Sequence, residues 1–293
     1  MTQGTIAAAH SLMGRMTRLE SSLPIFTNEV LAAETEPGRM DELHLYHGAR
    51  CNRSCAFCCV NGSPDGGHTP FGEPVLRAAV DLVARRGSLK IYGGEPTLDP
   101  DNLAWSIRRL REIGFEGAIT IFSNGLRPRP LIDLLRGDDR LFVVLNHAIF
   151  FGRGEEPLSP SVRALLLAEH ARRPGRLFVS HDFTVAVGRE STDRQRDGDR
   201  YLPCFRCWPT LTTTGFFHAC PFAVEHAGPH FALGTLDTPP GVVRERFETF
   251  LRWTEERLNP EAKRLGIGAC ALCTGPAPPA IPRHEPRVLL PMV

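Results

Sequence analysis

From Leu43 onward, apolar and polar positions follow two alternating rhythms. Short runs that are apolar throughout, or apolar at every second position, read as strands. Longer runs with apolar positions three and four apart read as helices. Residues 43–47 alternate. Residues 74–86 set Val75, Leu76, Ala79, Val80, Leu82 and Val83 at helical spacing. Residues 88–92 form a short strand ending at Gly93-Gly94, and residues 101–113 a helix with an acidic start. Residues 118–122 form a strand ending at Ser123-Asn124-Gly125. A helix over 130–136, a strand over 141–145, a helix over 159–171 and a strand over 177–187 follow. Strand–helix alternation with β-branched, apolar strands predicts an α/β fold built on a parallel sheet. Gly-rich and polar residues collect after several strands, and parallel α/β folds place their sites at that rim.

The rhythm differs at both ends. Residues 1–42 read as an extension, with a short helix over 4–20 and then a polar, Pro-punctuated stretch. After about residue 200, residues 209–219 read as a hairpin turning near Gly215. Residues 242–258 follow as an amphipathic helix, and residues 276–293 as a Pro-rich tail.

Composition narrows the class. The chain has 293 residues, 42% hydrophobic and 23% charged, with a net charge of +1. That supports a large core and gives no field for nucleic acid or an anionic membrane. No run approaches the ~20 apolar residues of a membrane span. The first ten residues lack the basic-then-apolar pattern of a signal peptide, so a cytoplasmic protein is expected. Nine cysteines in such a chain read as metal ligands or reactive thiols.

The cysteines form two groups. Cys51, Cys55, Cys58 and Cys59 crowd one loop, and Cys204, Cys207, Cys220, Cys270 and Cys273 lie in the C-terminal third. Two metal sites are expected. The Cx3Cx2C spacing of the first three suits three corners of an iron–sulfur cube whose fourth iron stays open. A zinc site is the alternative.

Cys51-x3-Cys55-x-Phe57-Cys58, followed by Gly93-Gly94-Glu95-Pro96, resembles the radical S-adenosylmethionine (SAM) superfamily. The resemblance covers roughly residues 43–190. It implies a partial (β/α)6 TIM-like barrel over 43–200, a [4Fe–4S] cluster on the three cysteines, and SAM on the open iron. One-electron cleavage of SAM would give a 5′-deoxyadenosyl radical that removes a hydrogen atom from substrate. It also implies that Phe57 packs on adenine and that the Gly93-Gly94 backbone or Glu95 receives the methionine ammonium. Ser123 and Asn124 would contact ribose or carboxylate, although Ser-Asn-Gly is equally a plain turn. A reductant such as flavodoxin or ferredoxin is the implied partner.

Cys204-x10-Gly215-x4-Cys220, then Cys270-x2-Cys273, resembles the twitch appendage, a short relative of the SPASM domain. This implies a second [4Fe–4S] cluster on those four cysteines within residues 201–275, with zinc again the alternative. Five cysteines compete for four corners, and the gap before Gly215 favours Cys204 over Cys207. Cys59 and Cys207 then stand as candidate hydrogen donors or as plain apolar fillers. His47, His147 and His181 are candidates for the cavity or for structure. Asp182 and Glu225 could contact a cationic substrate, and Arg108-Arg109 and Arg172-Arg173 read as solvated helix faces.

One barrel, one appendage and two clusters resemble dehydrogenases of aminoglycoside biosynthesis within that superfamily. The expected reaction is dehydrogenation or epimerisation of a small natural product such as an amino sugar, aminoglycoside or nucleoside. The alternatives are maturation of a ribosomal peptide or another protein, and a non-enzymatic iron–sulfur electron carrier.

Overall fold

The computed structural model describes residues 23–152, 156–180, 204, 208–224 and 231–273. One eight-stranded sheet organises them, in the order β5-β4-β3-β2-β1-β6-β7-β8. The strands are β1 (Met40–Tyr46), β2 (Val83–Tyr92), β3 (Ala118–Ser123), β4 (Leu141–Leu145), β5 (Leu177–Val179), β6 (Thr210–Thr212), β7 (Phe216–His218) and β8 (Ala232–Thr235). β1 to β5 form the parallel core, an open sheet and not a closed barrel. β6 joins β1 in parallel, and β7 and β8 continue antiparallel. The C-terminal hairpin therefore extends the same sheet.

The helices are α1 (Glu73–Leu82), α2 (Pro100–Glu112), α3 (Pro128–Gly137), α4 (His147–Phe151), α5 (Pro160–Arg172), α6 (Pro240–Trp253), α7 (Asn259–Leu265) and α8 (Ala269–Cys273). One sheet face, with Leu43, Leu45, Leu89, Ile91, Ile119 and Ile121, packs with helix residues such as Leu76, Leu103, Leu131 and Phe250 into the main core. None of the described helices is long and apolar enough to cross a membrane.

Several expectations shift. The helix foreseen to residue 86 ends at Leu82, and β2 begins at Val83. Edge contacts draw that segment into extended backbone: Arg85 N donates to the Glu36 carboxylate and Glu34 N to Arg86 O. The helix over 4–20 and the tail over 276–293 lie outside the described residues. What is described before β1 carries a bridge that pairs Ile25 with Val179 of β5 and a 3-10 turn, Asn28–Leu31. β8 and the five-residue α4 are additions, too short for periodicity to reveal.

The other face of the sheet is layered. Toward the β4–β5 edge, Phe26 and Leu31 pack against Phe178 and Val144. In the middle, Lys90 Nζ donates to Glu42 Oε1 (2.7 Å) and Asn28 Oδ1 (2.8 Å), and lies 5.0 Å from the Trp208 ring centre. His44 contacts the same Glu42 oxygen at 2.7 Å and stacks on Trp208. At the C-terminal side sit Tyr46, Tyr92 and Val60.

Lys90 and Glu42 are a buried pair, so removing one charge strands the other. Lys90→Met is expected to cost roughly 3–5 kcal/mol in denaturant unfolding, and adding Glu42→Gln should recover part of it. Burial opposes ionisation of Glu42, yet the His44 hydrogen bond and the Lys90 charge hold its carboxyl below the ordinary carboxylate range. The pair's contribution is therefore complete above the ordinary carboxylate range and is lost as pH falls from there through the lowered folded-state value.

Candidate active site

The rim of the site is built by one loop folding onto one strand end. After β1, residues 47–68 return on themselves: Ala49 N and Arg50 N donate to Gly67 O, and Cys51 N donates to Ser63 O (2.8 Å). The end of β2 then runs alongside, with Gly94 N donating to Gly48 O and Glu95 N to Arg50 O, both 2.8 Å. This approach is closer than a side chain permits. A Cβ on Gly94 would lie 2.0 Å from Arg50 O, and one on Gly93 2.5 Å from Gly48 O. Gly93 also has φ +140°, a value L side chains rarely adopt. The glycine pair is thus the seat on which the cysteine loop rests.

Cys51 and Cys58 lie within electrostatic reach of each other, and burial pushes the Cys51 thiol up. Gly62 N donates to Cys58 Sγ at 3.1 Å. A Cβ on Gly62 would come within 3.3 Å of Cys51 Cβ and 3.4 Å of Gly94 Cα, so Gly62 lies where the thiols and the glycine pair converge. Sequence reasoning passed over it, because a lone loop glycine carries no signal. Cys55 is buried, and Phe57 is half-buried against the main core.

Glu95 is 1% exposed. Its Oε1 accepts from Thr97 N (3.0 Å), Thr97 Oγ1 (2.6 Å) and Ser123 Oγ (2.8 Å), and its Oε2 from Asn124 N (2.8 Å). The carboxylate is committed to strapping the ends of β2 and β3 together. Of the two groups the resemblance offered for an ammonium, the half-buried backbone of Gly93-Gly94 is the one at the rim. Asn124 turns toward the loop, donating to Asn52 Oδ1 at 2.8 Å and reaching Cys51 Sγ at 3.8 Å.

Cys59 packs beside Tyr46 and Tyr92 on the face opposite the main core. The Tyr92 hydroxyl is deeply buried and donates to Pro221 O at 2.7 Å. Cys59 and Cys220 both lie within its electrostatic reach, so Tyr92 stands between the two cysteine groups. Burial pushes His47 down to about 3, so it is neutral at physiological pH; its Nε2 is buried without a partner. His147 is buried against Phe151. Cys207, His181, Asp182 and Glu225 lie outside the described residues.

The second group also converges. Cys270 and Cys273 sit one turn apart on α8, and Cys220 precedes a 3-10 turn, Pro221–Ala223. Cys204, Cys220, Cys270 and Cys273 are within electrostatic reach of one another. Burial pushes Cys270 up to about 12 and raises Cys220 and Cys273 as well. Among the described residues, no three His, Cys, Asp or Glu side chains close on a single metal ion.

Residues 45–173 match the Radical SAM superfamily. A probable GTP 3′,8-cyclase from Sulfolobus acidocaldarius is 31% identical over 116 residues, 36% of this chain and 34% of that protein. The chain thus spans about a third of that relative's length. Among solved structures, BtrN in complex with AdoMet and 2-DOIA superposes with a TM-score of 0.50 at 14% identity, covering 79% of this chain and 92% of that one. Native anSMEcpe with bound AdoMet and Kp18Cys peptide gives 0.48 at 14% identity, covering 73% and 83%. At these identities the BtrN likeness speaks for the fold alone.

The superfamily implies a [4Fe–4S] cluster and SAM. The residues present fit them: three loop thiols are soft donors suited to iron, and a side-chain-free backbone pair lies directly beside them. The family match, with the loop geometry beside it, gives this chain a radical SAM domain at residues 45–173.

Proposed function

We propose that this radical SAM enzyme removes a hydrogen atom from a small natural product, an amino sugar, aminoglycoside or nucleoside, and that dehydrogenation or epimerisation follows. Cys51, Cys55 and Cys58 hold the SAM-binding cluster, and Cys204, Cys220, Cys270 and Cys273 hold a second [4Fe–4S] cluster. The partial barrel spans residues 43–200 and the appendage 201–275. When bound, the first cluster and SAM supply a 5′-deoxyadenosyl radical.

The observation that carries this reading is the second thiol group, gathered on an extension of the same sheet and tied to β2 through Tyr92 and Pro221. Four thiolates would close that cluster, leaving it to pass electrons. The protein's own residues supply the setting. Gly93-Gly94 seats the cysteine loop and offers its half-buried backbone polar groups, Asn124 orients the loop, and neutral His47 adds no charge. Cys59 faces the Tyr46–Tyr92 side. In the epimerase outcome its S–H bond breaks, a C–H bond forms on the substrate radical, and the sulfur radical left behind takes one electron from the external donor and a proton from solvent to restore the thiol.

Two readouts test this. Anaerobically reconstituted protein should hold roughly eight irons, whereas about four with one zinc would remove the second cluster. Deuterated substrate should label 5′-deoxyadenosine. Solvent deuterium in the product marks epimerisation, and Cys59→Ala should then abolish it; its absence marks dehydrogenation.

A further inference from the structure

We infer that Asn259 is the positioning residue that makes Cys204, and not Cys207, the N-terminal ligand of the second cluster; this rests on the second-cluster reading above. Asn259 Oδ1 accepts from Cys204 N at 2.7 Å, and Asn259 Nδ2 donates to Cys204 O at 3.0 Å. One side-chain amide thus holds both peptide groups of one residue, across 55 positions of sequence. An amide is suited to this, since it offers a donor and an acceptor in one plane. Two contacts fix the rotation as well as the position of the Cys204 backbone, and so the direction of the Cα–Cβ bond that carries the thiol.

The helix is shaped to present that amide. Pro260 has no N–H, and its ring would strike the carbonyl of residue 256 in a regular helix. The strain is relieved by a π segment, Thr254–Leu258, in which Asn259 N donates five residues back to Thr254 O. An extra residue in a turn rotates everything after it by about 100°, so the wide turn decides which way Asn259 faces. π segments recur at functional positions for this reason. α7 then ends at Gly266, in the left-handed conformation, and α8 delivers Cys270 and Cys273. The chain segment that grips Cys204 is the one that carries its two partners, so a single grip sets the spacing of three of the four thiols.

The test uses the full chain, reconstituted anaerobically with iron and sulfide, and reads iron content and the electron paramagnetic resonance signals of both reduced clusters. Wild type should hold roughly eight irons, Cys204→Ala about half and Cys207→Ala the full number. Asn259→Ala should lose the second-cluster signal or shift its potential, while the first-cluster signal still responds to SAM. Asn259→Asp keeps the acceptor and loses the donor, so part of the second signal should return.

An unchanged second signal in Asn259→Ala, or loss of that cluster in Cys207→Ala but not in Cys204→Ala, would overturn the inference. If Asn259→Ala loses both clusters, Asn259→Asp decides: recovery of the second signal supports positioning, and continued loss of both refutes it. Wild type with about four irons would instead overturn the second-cluster reading itself.

Discussion

Cys58→Ala is expected to reduce 5′-deoxyadenosine release to background and to remove about four of roughly eight irons per chain. The loop cannot replace this ligand. Cys58 Sγ is held by Gly62 N, and it lies within reach of Cys51 beside the glycine pair. Cys58 touches both the main core and the Tyr46–Tyr92 cluster, whereas Cys59, adjacent in sequence, touches only the latter of these two. Cys58→Ser should give the same result, because a hydroxyl is a hard, weakly acidic donor where iron needs thiolate. Cys58 is only partly buried, so circular dichroism should show the fold intact and assign the loss to the cluster. Retention of all the iron in either variant would contradict the ligand assignment.

Gly94→Ala has a comparable effect through a different route. The new methyl would sit 2.0 Å from Arg50 O and 2.4 Å from Arg50 C, both backbone atoms. Neither can swing aside, so the end of β2 and the cysteine loop must part. Overpacking of this kind costs roughly 1–3 kcal/mol, and the Gly94–Gly48 and Glu95–Arg50 hydrogen bonds add about 1 kcal/mol each if broken. Cys51 follows Arg50 directly, so its thiol moves with the displaced carbonyl. The expected variant is folded, keeps the second-cluster signal, and loses most of the first-cluster iron and SAM cleavage. Gly67→Ala is the control in the same loop, since its Cβ would meet nothing within 4 Å. Wild-type iron and cleavage in Gly94→Ala would mean that the glycine pair is not the seat described.

Much of this was legible in the sequence because it rests on spacing. β4 over 141–145 is unbroken apolar sequence and stands where expected. The hairpin at Gly215 is equally plain: that glycine has φ +85° between β6 and β7. The two cysteine groups were readable as groups, because soft ligands at short intervals have few other uses.

What escaped is what depends on partners distant in sequence. Glu42, His44 and Lys90 look like the polar side of a solvated strand, yet Trp208 and Asn28 cover them. Glu95 looks like a ligand because it follows two glycines, yet its four acceptances from Thr97, Ser123 and Asn124 bind strand ends together. Pro260 in a helical pattern announces a disturbance, but not that it takes the form of a wide turn aiming Asn259 at a residue 55 positions away.

SAM cleavage itself is the most direct measurement. Anaerobically reconstituted protein, reduced with dithionite in the presence of SAM, should release 5′-deoxyadenosine and methionine, and Cys51→Ala, Cys55→Ala and Cys58→Ala should each abolish that release. An intact, reducible cluster on the wild-type chain that neither binds nor cleaves SAM would contradict the account.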